Sequence, residues 1–205
     1  MTDTNTTEGN KHSKKVLVLF AHPAPARSEV NVPLFNEAKL NKHVTAVDLY
    51  AQYPDFNINI EREQQRLVDH DVIVFLFPLY WYSTPSILKE WQDLVLEYGF
   101  AYGHEGTALK DKLFLCAISA GGKEKAYQSE GFNHYTIRQL LQPLEQMAQI
   151  THMNYIAPFA IFGSIQAISR NGQLLFTDVL NNTYFVNHGA FTIISGIISR
   201  LKQLR

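Results

Sequence analysis

Three aromatic residues stand side by side where the chain leaves an apolar run: Tyr80, Trp81 and Tyr82 in the segment PLYWYS. Successive side chains of an extended segment point in different directions, so the three rings cannot all enter one core. At least one ring therefore faces a cavity or a partner, where it could stack on a flat, electron-accepting ring. Packing in a core or an interface is the alternative explanation for such a cluster.

A group of polar side chains lies in the segment AHPAPARSEVN. His22, Ser28 and Asn31 surround the predicted start of a helix, where free N–H groups and the helix dipole favour a phosphate. His22 could add a charge-assisted hydrogen bond to it. The segment has no glycine, which disfavours the dinucleotide-binding mode that needs a glycine-rich turn. The alternative is structural, with Ser28 capping the helix and His22 bonded to backbone.

The segment SAGGKEKAY supplies two glycines and is followed by two proton donors. Gly121 and Gly122 remove side chains where the backbone approaches a ligand, or they simply allow a turn. Tyr127 and His134 could each donate a proton to an oxyanion that forms when a bound substrate is reduced. Each could equally be an ordinary surface residue.

The composition is that of a single globular domain. A chain of 205 residues is long enough for one well-buried domain and short for two. Its net charge of −1 gives no electrostatic reason to bind nucleic acid or an acidic membrane surface. The histidines are scattered without metal-ligand spacing, so no metal site is predicted. Cys116 lies within an apolar run, which favours a buried hydrophobic side chain over a reactive thiol.

Residues 1–13 are predicted to be a disordered polar leader rather than a signal peptide. No stretch of the sequence is apolar for long enough to span a membrane, and a single cysteine fits a cytoplasmic location. Residues 14–205 are then expected to form one domain.

Strand-like and helix-like segments alternate after the leader. Buried strands are predicted from apolar runs at 15–20, 44–49, 71–77, 112–119 and within 153–162. Helices are predicted from Ser28 to about Asn41, over 60–69, from Thr84 and Pro85 to about Tyr98, over 137–150, and at the C-terminus. The alternation predicts an α/β fold: a doubly wound, five-stranded parallel sheet with helices on both faces. Such sheets bind ligands beyond the carboxyl ends of their strands, where the three segments lie.

In this order, the segments resemble the NAD(P)H:quinone reductase family of flavodoxin-like proteins, which includes the ancillary subunits of glutathione-regulated potassium efflux systems. The resemblance spans residues 14–163 and rests on AHPAPARSEVN, YPDFNI, FPLYWYSTPSILKEW, GFAYGHEGTAL, SAGG and LLQPLEQMA. YPDFNI and GHEGTAL are most similar to the efflux-ancillary branch.

The resemblance implies a bound FMN, with FAD as the alternative, in a flavodoxin-like fold. Its phosphate would lie at the first segment, its isoalloxazine at the aromatic segment, and the other ring edge at the glycines. The cofactor-binding residues implied in this way are His22, Ser28, Glu29, Val30, Asn31, Leu79, Tyr80, Trp81, Tyr82, Ser119, Ala120, Gly121 and Gly122.

The resemblance also implies two catalytic residues, Tyr127 and His134. Tyr127 corresponds to a tyrosine that the family places near the quinone, whereas the family's neighbouring histidine falls at Asn133, one residue before His134. The implied reaction is two-electron hydride transfer from NADPH or NADH through FMN to quinones by a ping-pong mechanism. A reductase of azo or nitro compounds would use the same chemistry with another acceptor.

The alternative function is that of a regulatory flavoprotein subunit that activates a glutathione-gated potassium efflux system. Such a subunit would be cytoplasmic and peripheral at the inner membrane through its transporter partner. Family members form homodimers with the site near the subunit boundary, and the aromatic residues at 98–102 would suit that interface.

Overall fold

A central parallel sheet organises the chain. The computed structural model describes residues 14–164, so the predicted leader and the predicted C-terminal helix lie outside the described residues. The strands are β1 (Val16–Phe20), β2 (Val44–Asp48), β3 (Val72–Pro78), β4 (Leu113–Ala120), β5 (Asn154–Tyr155) and β6 (Phe159–Phe162). They are ordered β2-β1-β3-β4-β5, every pairing is parallel, and β6 also pairs with β4. This is the strand order of a flavodoxin-like doubly wound sheet, so the predicted fold class is confirmed.

The fifth position of the sheet is shared by two short strands where the sequence predicted one. β5 and β6 are separated by residues 156–158 and both pair with β4. Pro158 has no N–H group, so it cannot donate a hydrogen bond to a neighbouring strand. The interruption therefore falls at the proline.

The helices are α1 (Asn31–Lys39), α2 (Leu49–Gln52), α3 (Ile60–Asp69), α4 (Ser86–Val95), α5 (Ile137–Leu140) and α6 (Gln142–Ile150). The helix predicted from Ser28 begins three residues later, after a short 3₁₀ turn at Pro25–Arg27. The helix predicted over 137–150 is divided at Leu141, because Pro143 in the first turn of α6 lacks the N–H that a continuous helix would need. The helix predicted from Thr84 and Pro85 to about Tyr98 is α4, which begins at Ser86 and ends at Val95. Pro85 is its N-cap residue, and no side chain caps the helix.

Two apolar clusters lie on opposite faces of the sheet, as the period of two in a strand requires. On β1, Leu17 and Leu19 belong to the cluster that includes α4 and α6, whereas Val16, Val18 and Phe20 pack in the cluster that includes α1. Both faces of the central strands are buried, which explains their uninterrupted apolar sequences. None of the helices within 14–164 is both long and apolar enough to cross a membrane.

A buried carboxylate joins three of the helical segments on the α4 face. Glu63 of α3 is completely buried and accepts hydrogen bonds from the Tyr53 hydroxyl (2.5 Å) and the Trp91 indole N–H (3.1 Å). Arg66, one turn further along α3, forms an ion pair with the same carboxylate. A buried charge is tolerated only where donors surround it, so this network fixes α4 against α3. The position of α4 in turn fixes the end of the aromatic segment.

Glu63→Gln is expected to lower the free energy of unfolding by at least about 2 kcal/mol, because it leaves the guanidinium of Arg66 without its counter-charge in a half-buried position. Glu61→Gln on the same helix is the matched control, since Glu61 is exposed. The control should change stability by less than about 1 kcal/mol. Urea unfolding measures the free energy of unfolding of both variants. Equal losses would show that the buried network contributes no more to stability than an exposed carboxylate does.

Candidate functional site

The carboxyl ends of β1, β3 and β4 open onto a cavity of about 700 Å³. A volume of this size is typical of sites for small ligands and cofactors. The structure brings together residues from all three segments at this edge. Of the residues predicted to bind a cofactor, the cavity is lined by His22, Ser28, Glu29, Val30, Asn31, Leu79, Tyr80, Trp81, Tyr82, Ser119, Gly121 and Gly122.

Two of the predicted residues do not line the cavity. Ala120 is fully buried in the apolar core, because successive residues of β4 alternate between the two faces of the sheet. His134 is exposed on a loop at a φ of 60° and lies outside the cavity wall, whereas its neighbours Phe132 and Asn133 line it. Tyr127, the other predicted proton donor, also lines the cavity.

His22 is buried at the start of the first loop, with 3% of its surface exposed. Its Nδ1 accepts a hydrogen bond from the Ala24 N–H (3.1 Å), which leaves the proton on Nε2, 3.4 Å from the Tyr80 hydroxyl. Burial lowers the pKa of the imidazole, and the more distant Asp48 only partly opposes this. The environment therefore favours neutral His22 in the ligand-free protein, and a bond to a phosphate would come from its Nε2–H.

The helix start that was predicted to hold a phosphate carries buried polar atoms without partners. The Ser28 hydroxyl accepts from the Val32 N–H (3.1 Å), so Ser28 does contribute to the helix start. Among residues 14–164, Asn31 Nδ2 and Glu29 Oε2 are buried with no hydrogen-bond partner. Leaving such atoms unpaired is unfavourable by about 1–3 kcal/mol each, which a ligand with matching groups would remove. A donor and an acceptor are thus both available here.

The aromatic segment forms a tight turn with a strained backbone. Tyr80 and Ser83 form an isolated antiparallel bridge, and the two residues between them, Trp81 and Tyr82, have φ values of 49° and 61°. Positive φ at both central residues is the geometry of a type I′ turn, which favours asparagine and glycine. Non-glycine residues are unfavourable in this conformation by about 1 kcal/mol or more each.

All three rings of this turn are exposed to a degree unusual for large aromatic side chains. The exposed fractions are 47% for Tyr80, 93% for Trp81 and 46% for Tyr82. Within the described residues, the N–H groups of Trp81 and Tyr82 donate no backbone hydrogen bond. The turn therefore lines the cavity with exposed apolar rings and has two N–H groups without a backbone acceptor, which suits a flat ring with acceptor atoms along one edge.

The opposite wall is built from Gly122, Tyr127 and Asn133. A Cβ atom on Gly122 would lie 3.3 Å from the Tyr127 ring, so this glycine allows the close approach of the two segments. The Tyr82 hydroxyl donates to Asn133 Oδ1 (3.1 Å), which connects the aromatic turn to this wall. Burial raises the pKa of Tyr127, so its phenol stays protonated and can act as a hydrogen-bond donor.

The cavity also includes residues outside the predicted set, among them Arg27 and Phe132. Arg27 lies beside the predicted phosphate position, and Phe132, 86% exposed, borders the cavity near the aromatic turn. A cation directly before Ser28, the predicted start of the helix, was a usable signal for Arg27, because a positive charge near a helix N-terminus also attracts an anion. Phe132 lies in a polar loop with no regular periodicity, so nothing in its sequence context indicated its position.

Comparison with known proteins identifies close relatives over the same region. A family model described as "Flavodoxin-like fold" matches residues 14–174. The glutathione-regulated potassium-efflux system ancillary protein KefG of Serratia proteamaculans is 47% identical over 148 residues, which are 72% of this chain and 81% of KefG.

Two solved structures are also similar to the chain. The general stress protein 14 of Treponema denticola, solved in complex with FMN, is 29% identical with a TM-score of 0.78, over 91% of this chain and 99% of that one. An NADPH-quinone reductase from P. pentosaceus is 33% identical with a TM-score of 0.66, over 83% and 99% of the two chains.

Trp81→Asn is expected to raise the free energy of unfolding of the ligand-free protein by about 1 kcal/mol, because asparagine adopts positive φ more readily than tryptophan. Little burial is lost, since Trp81 is 93% exposed. Trp81→Val is the contrasting variant and should lower stability, because β-branched residues are strained at positive φ. Chemical denaturation would measure both, and a less stable asparagine variant would contradict the strain described here.

Proposed function

This chain belongs to the flavodoxin-like fold family, and we propose that it is a flavin-dependent NAD(P)H:quinone oxidoreductase that binds FMN. The observation that carries the proposal is the cavity at the carboxyl edge of the sheet. It is lined both by a helix start with unpaired polar atoms and by an exposed aromatic turn. The helix start suits the phosphate of a flavin nucleotide, and the aromatic turn suits its flat ring system.

The residues of the first loop suit the phosphate and the ribityl chain. The Asn31 Nδ2 and the His22 Nε2–H are donors, and a phosphate offers only acceptors at neutral pH. The N-terminal dipole of α1 adds to them, although its Val32 N–H is already bonded to Ser28 and Pro33 has no N–H. The Glu29 Oε2 is an acceptor, which fits the hydroxyl groups of a ribityl chain rather than the phosphate. Arg27 supplies a positive charge on the same side.

The aromatic turn suits the isoalloxazine ring. Stacking a flat ring on Tyr80 or Trp81 would bury apolar surface that is otherwise in water, which is favourable by about 25 cal/mol per Å². The free N–H groups of Trp81 and Tyr82 could bond acceptor atoms at the ring edge. This binding energy would also compensate for the strain of the turn, which persists in the protein alone.

FMN and NAD(P)H are supported as the cofactor and the reductant by the relatives. One similar structure contains FMN, and another is described as an NADPH-quinone reductase. When bound, FMN would supply two-electron hydride chemistry between NADPH or NADH and a quinone, in a ping-pong cycle. The polypeptide would bind and orient both partners and exclude water from the reacting atoms.

Tyr127 is the residue best placed to donate a proton to the reduced quinone. It lines the cavity, and its burial keeps the phenol protonated. His134, the second predicted catalytic residue, is exposed outside the wall, so we propose no direct contact between its imidazole and the substrate in this conformation.

The second candidate function is that of a regulatory subunit of a potassium efflux system, and it is favoured by the 47% identity to a KefG protein. In that case the same flavin site would serve as a sensor, and the chain would bind a membrane transporter from the cytoplasmic side. A homodimer is also proposed, because Tyr98, the first residue of the segment 98–102, is 71% exposed.

The first test is the visible absorbance spectrum of the purified full-length protein, together with mass analysis of any compound that heat releases. We expect a flavin spectrum, FMN in the released fraction, and bleaching on anaerobic addition of NADPH or NADH. Reoxidation by a quinone would support the reductase over a purely regulatory role. Protein that stays colourless after incubation with FMN and with FAD would overturn the proposal.

Tyr127→Phe is expected to slow reoxidation of the reduced protein by a quinone at least about tenfold, because it removes the proton donor. Reduction by NADPH should change less than about twofold, since that half-reaction needs no proton from Tyr127. Stopped-flow absorbance separates the two half-reactions. Tyr135→Phe is the matched control, because Tyr135 is exposed and does not line the cavity. Equal slowing of both half-reactions would contradict the assigned role.

A further inference from the structure

A buried hydrogen bond connects the first and third loops of the site. The Ser119 hydroxyl donates to Asn31 Oδ1 at 2.5 Å, across 88 positions of sequence. Ser119 is 5% exposed and Asn31 is 1% exposed, so water does not compete for this bond. Ser119 is the penultimate residue of β4, and Asn31 is the first residue of α1.

In this structure the bond to Ser119 uses the oxygen end of the Asn31 amide and leaves the nitrogen end unpaired. An amide has an acceptor oxygen and a donor nitrogen on opposite sides, and the two ends can exchange by rotation. A serine hydroxyl can donate or accept, and here it donates to the oxygen, which therefore lies on the side of β4. The nitrogen is then directed away from β4, and among residues 14–164 it has no hydrogen-bond partner although it is buried.

In this orientation the helix start has an unpaired donor in the ligand-free protein. Two independent features coincide there: the N-terminus of the nine-residue helix α1 and a buried, unpaired N–H₂ group on a residue that lines the cavity. Both features favour an anion or a strong acceptor. A rotated amide would instead direct its oxygen at the ligand and would repel a phosphate.

We propose that Ser119 is a positioning residue that holds the donor end of Asn31 toward the phosphate of FMN, so that the cavity selects phosphorylated flavin over riboflavin. This inference rests on the function proposed above. It also changes the role of Ser119, which the sequence placed at the edge of the isoalloxazine. The single proton of its hydroxyl is donated to Asn31 and is not available to the ring.

The test is the affinity of the cofactor-free protein for FMN and for riboflavin, measured by quenching of flavin fluorescence. Ser119→Ala should raise the Kd for FMN about tenfold, as expected for loss of one hydrogen bond to a charged group, and should change the Kd for riboflavin less than twofold. Ser119→Thr keeps the hydroxyl and should restore the affinity for FMN. Ser129→Ala is the control for the substitution itself, because Ser129 is exposed outside the cavity.

A second pair of variants tests whether Ser119 acts through Asn31. Asn31→Ala should weaken FMN binding, and the double variant Asn31→Ala/Ser119→Ala should bind FMN no more weakly than Asn31→Ala alone. Asn31→Asp can still accept the bond from Ser119 but replaces the donor with an anionic oxygen. It should weaken FMN binding more than Asn31→Ala does and leave riboflavin binding largely unchanged.

The outcomes separate this inference from the proposed function. Riboflavin binding by each variant shows that the variant is folded and that its ring site is intact. Equal loss of FMN and riboflavin in Ser119→Ala, no loss of either, or additive losses in the double variant would each overturn the positioning role while leaving the flavoprotein assignment in place. Wild-type protein that binds neither flavin would overturn the proposed function and this inference together.

Discussion

The in-register parallel pairing of β1, β3 and β4 is the constraint on which the site depends. Hydrogen bonds continue past the ends of the strands, from the Ala21 N–H to the Leu76 oxygen (3.0 Å) and from the Leu79 N–H to the Ser119 oxygen (2.8 Å). The loops therefore leave the sheet at fixed positions and begin side by side. Both faces of these strands are buried, so a shift of register would disturb the apolar core as well as the cavity.

The walls of the cavity differ in how they are stabilised. The first and third loops are joined by the bond between Ser119 and Asn31, which holds polar groups in place without a ligand. The aromatic turn is different, since Trp81 and Tyr82 adopt an unfavourable backbone conformation and expose their rings. Such local strain is found at binding sites that a ligand completes. The aromatic turn is therefore destabilised by its backbone conformation, whereas the first and third loops are already hydrogen-bonded to each other without a ligand.

The sequence predicted the buried strands and the three loops because long apolar runs and their polar ends are local signals. Features that depend on tertiary contacts or on single residues were less predictable. Pro143 divides the helix predicted over 137–150, and Pro158 interrupts the strand predicted within 153–162. Each interruption has a local cause that periodicity alone does not reveal. The bond between Ser119 and Asn31 joins distant segments, so no window of sequence contains it. His134 is exposed on a loop at positive φ. The conformation of that loop has no periodicity from which the exposure could be predicted.

The two tryptophans of the chain lie in opposite environments, and this gives the molecule two separate optical reporters. Trp91 is 1% exposed, packs edge-on against Phe75 and donates to the buried Glu63, so its emission should be blue-shifted and sensitive to the integrity of the core. Trp81 is 93% exposed at the rim of the cavity, so its emission should be red-shifted, open to quenching by iodide, and sensitive to occupancy. Folding and ligand entry can therefore be followed in one sample without an added dye.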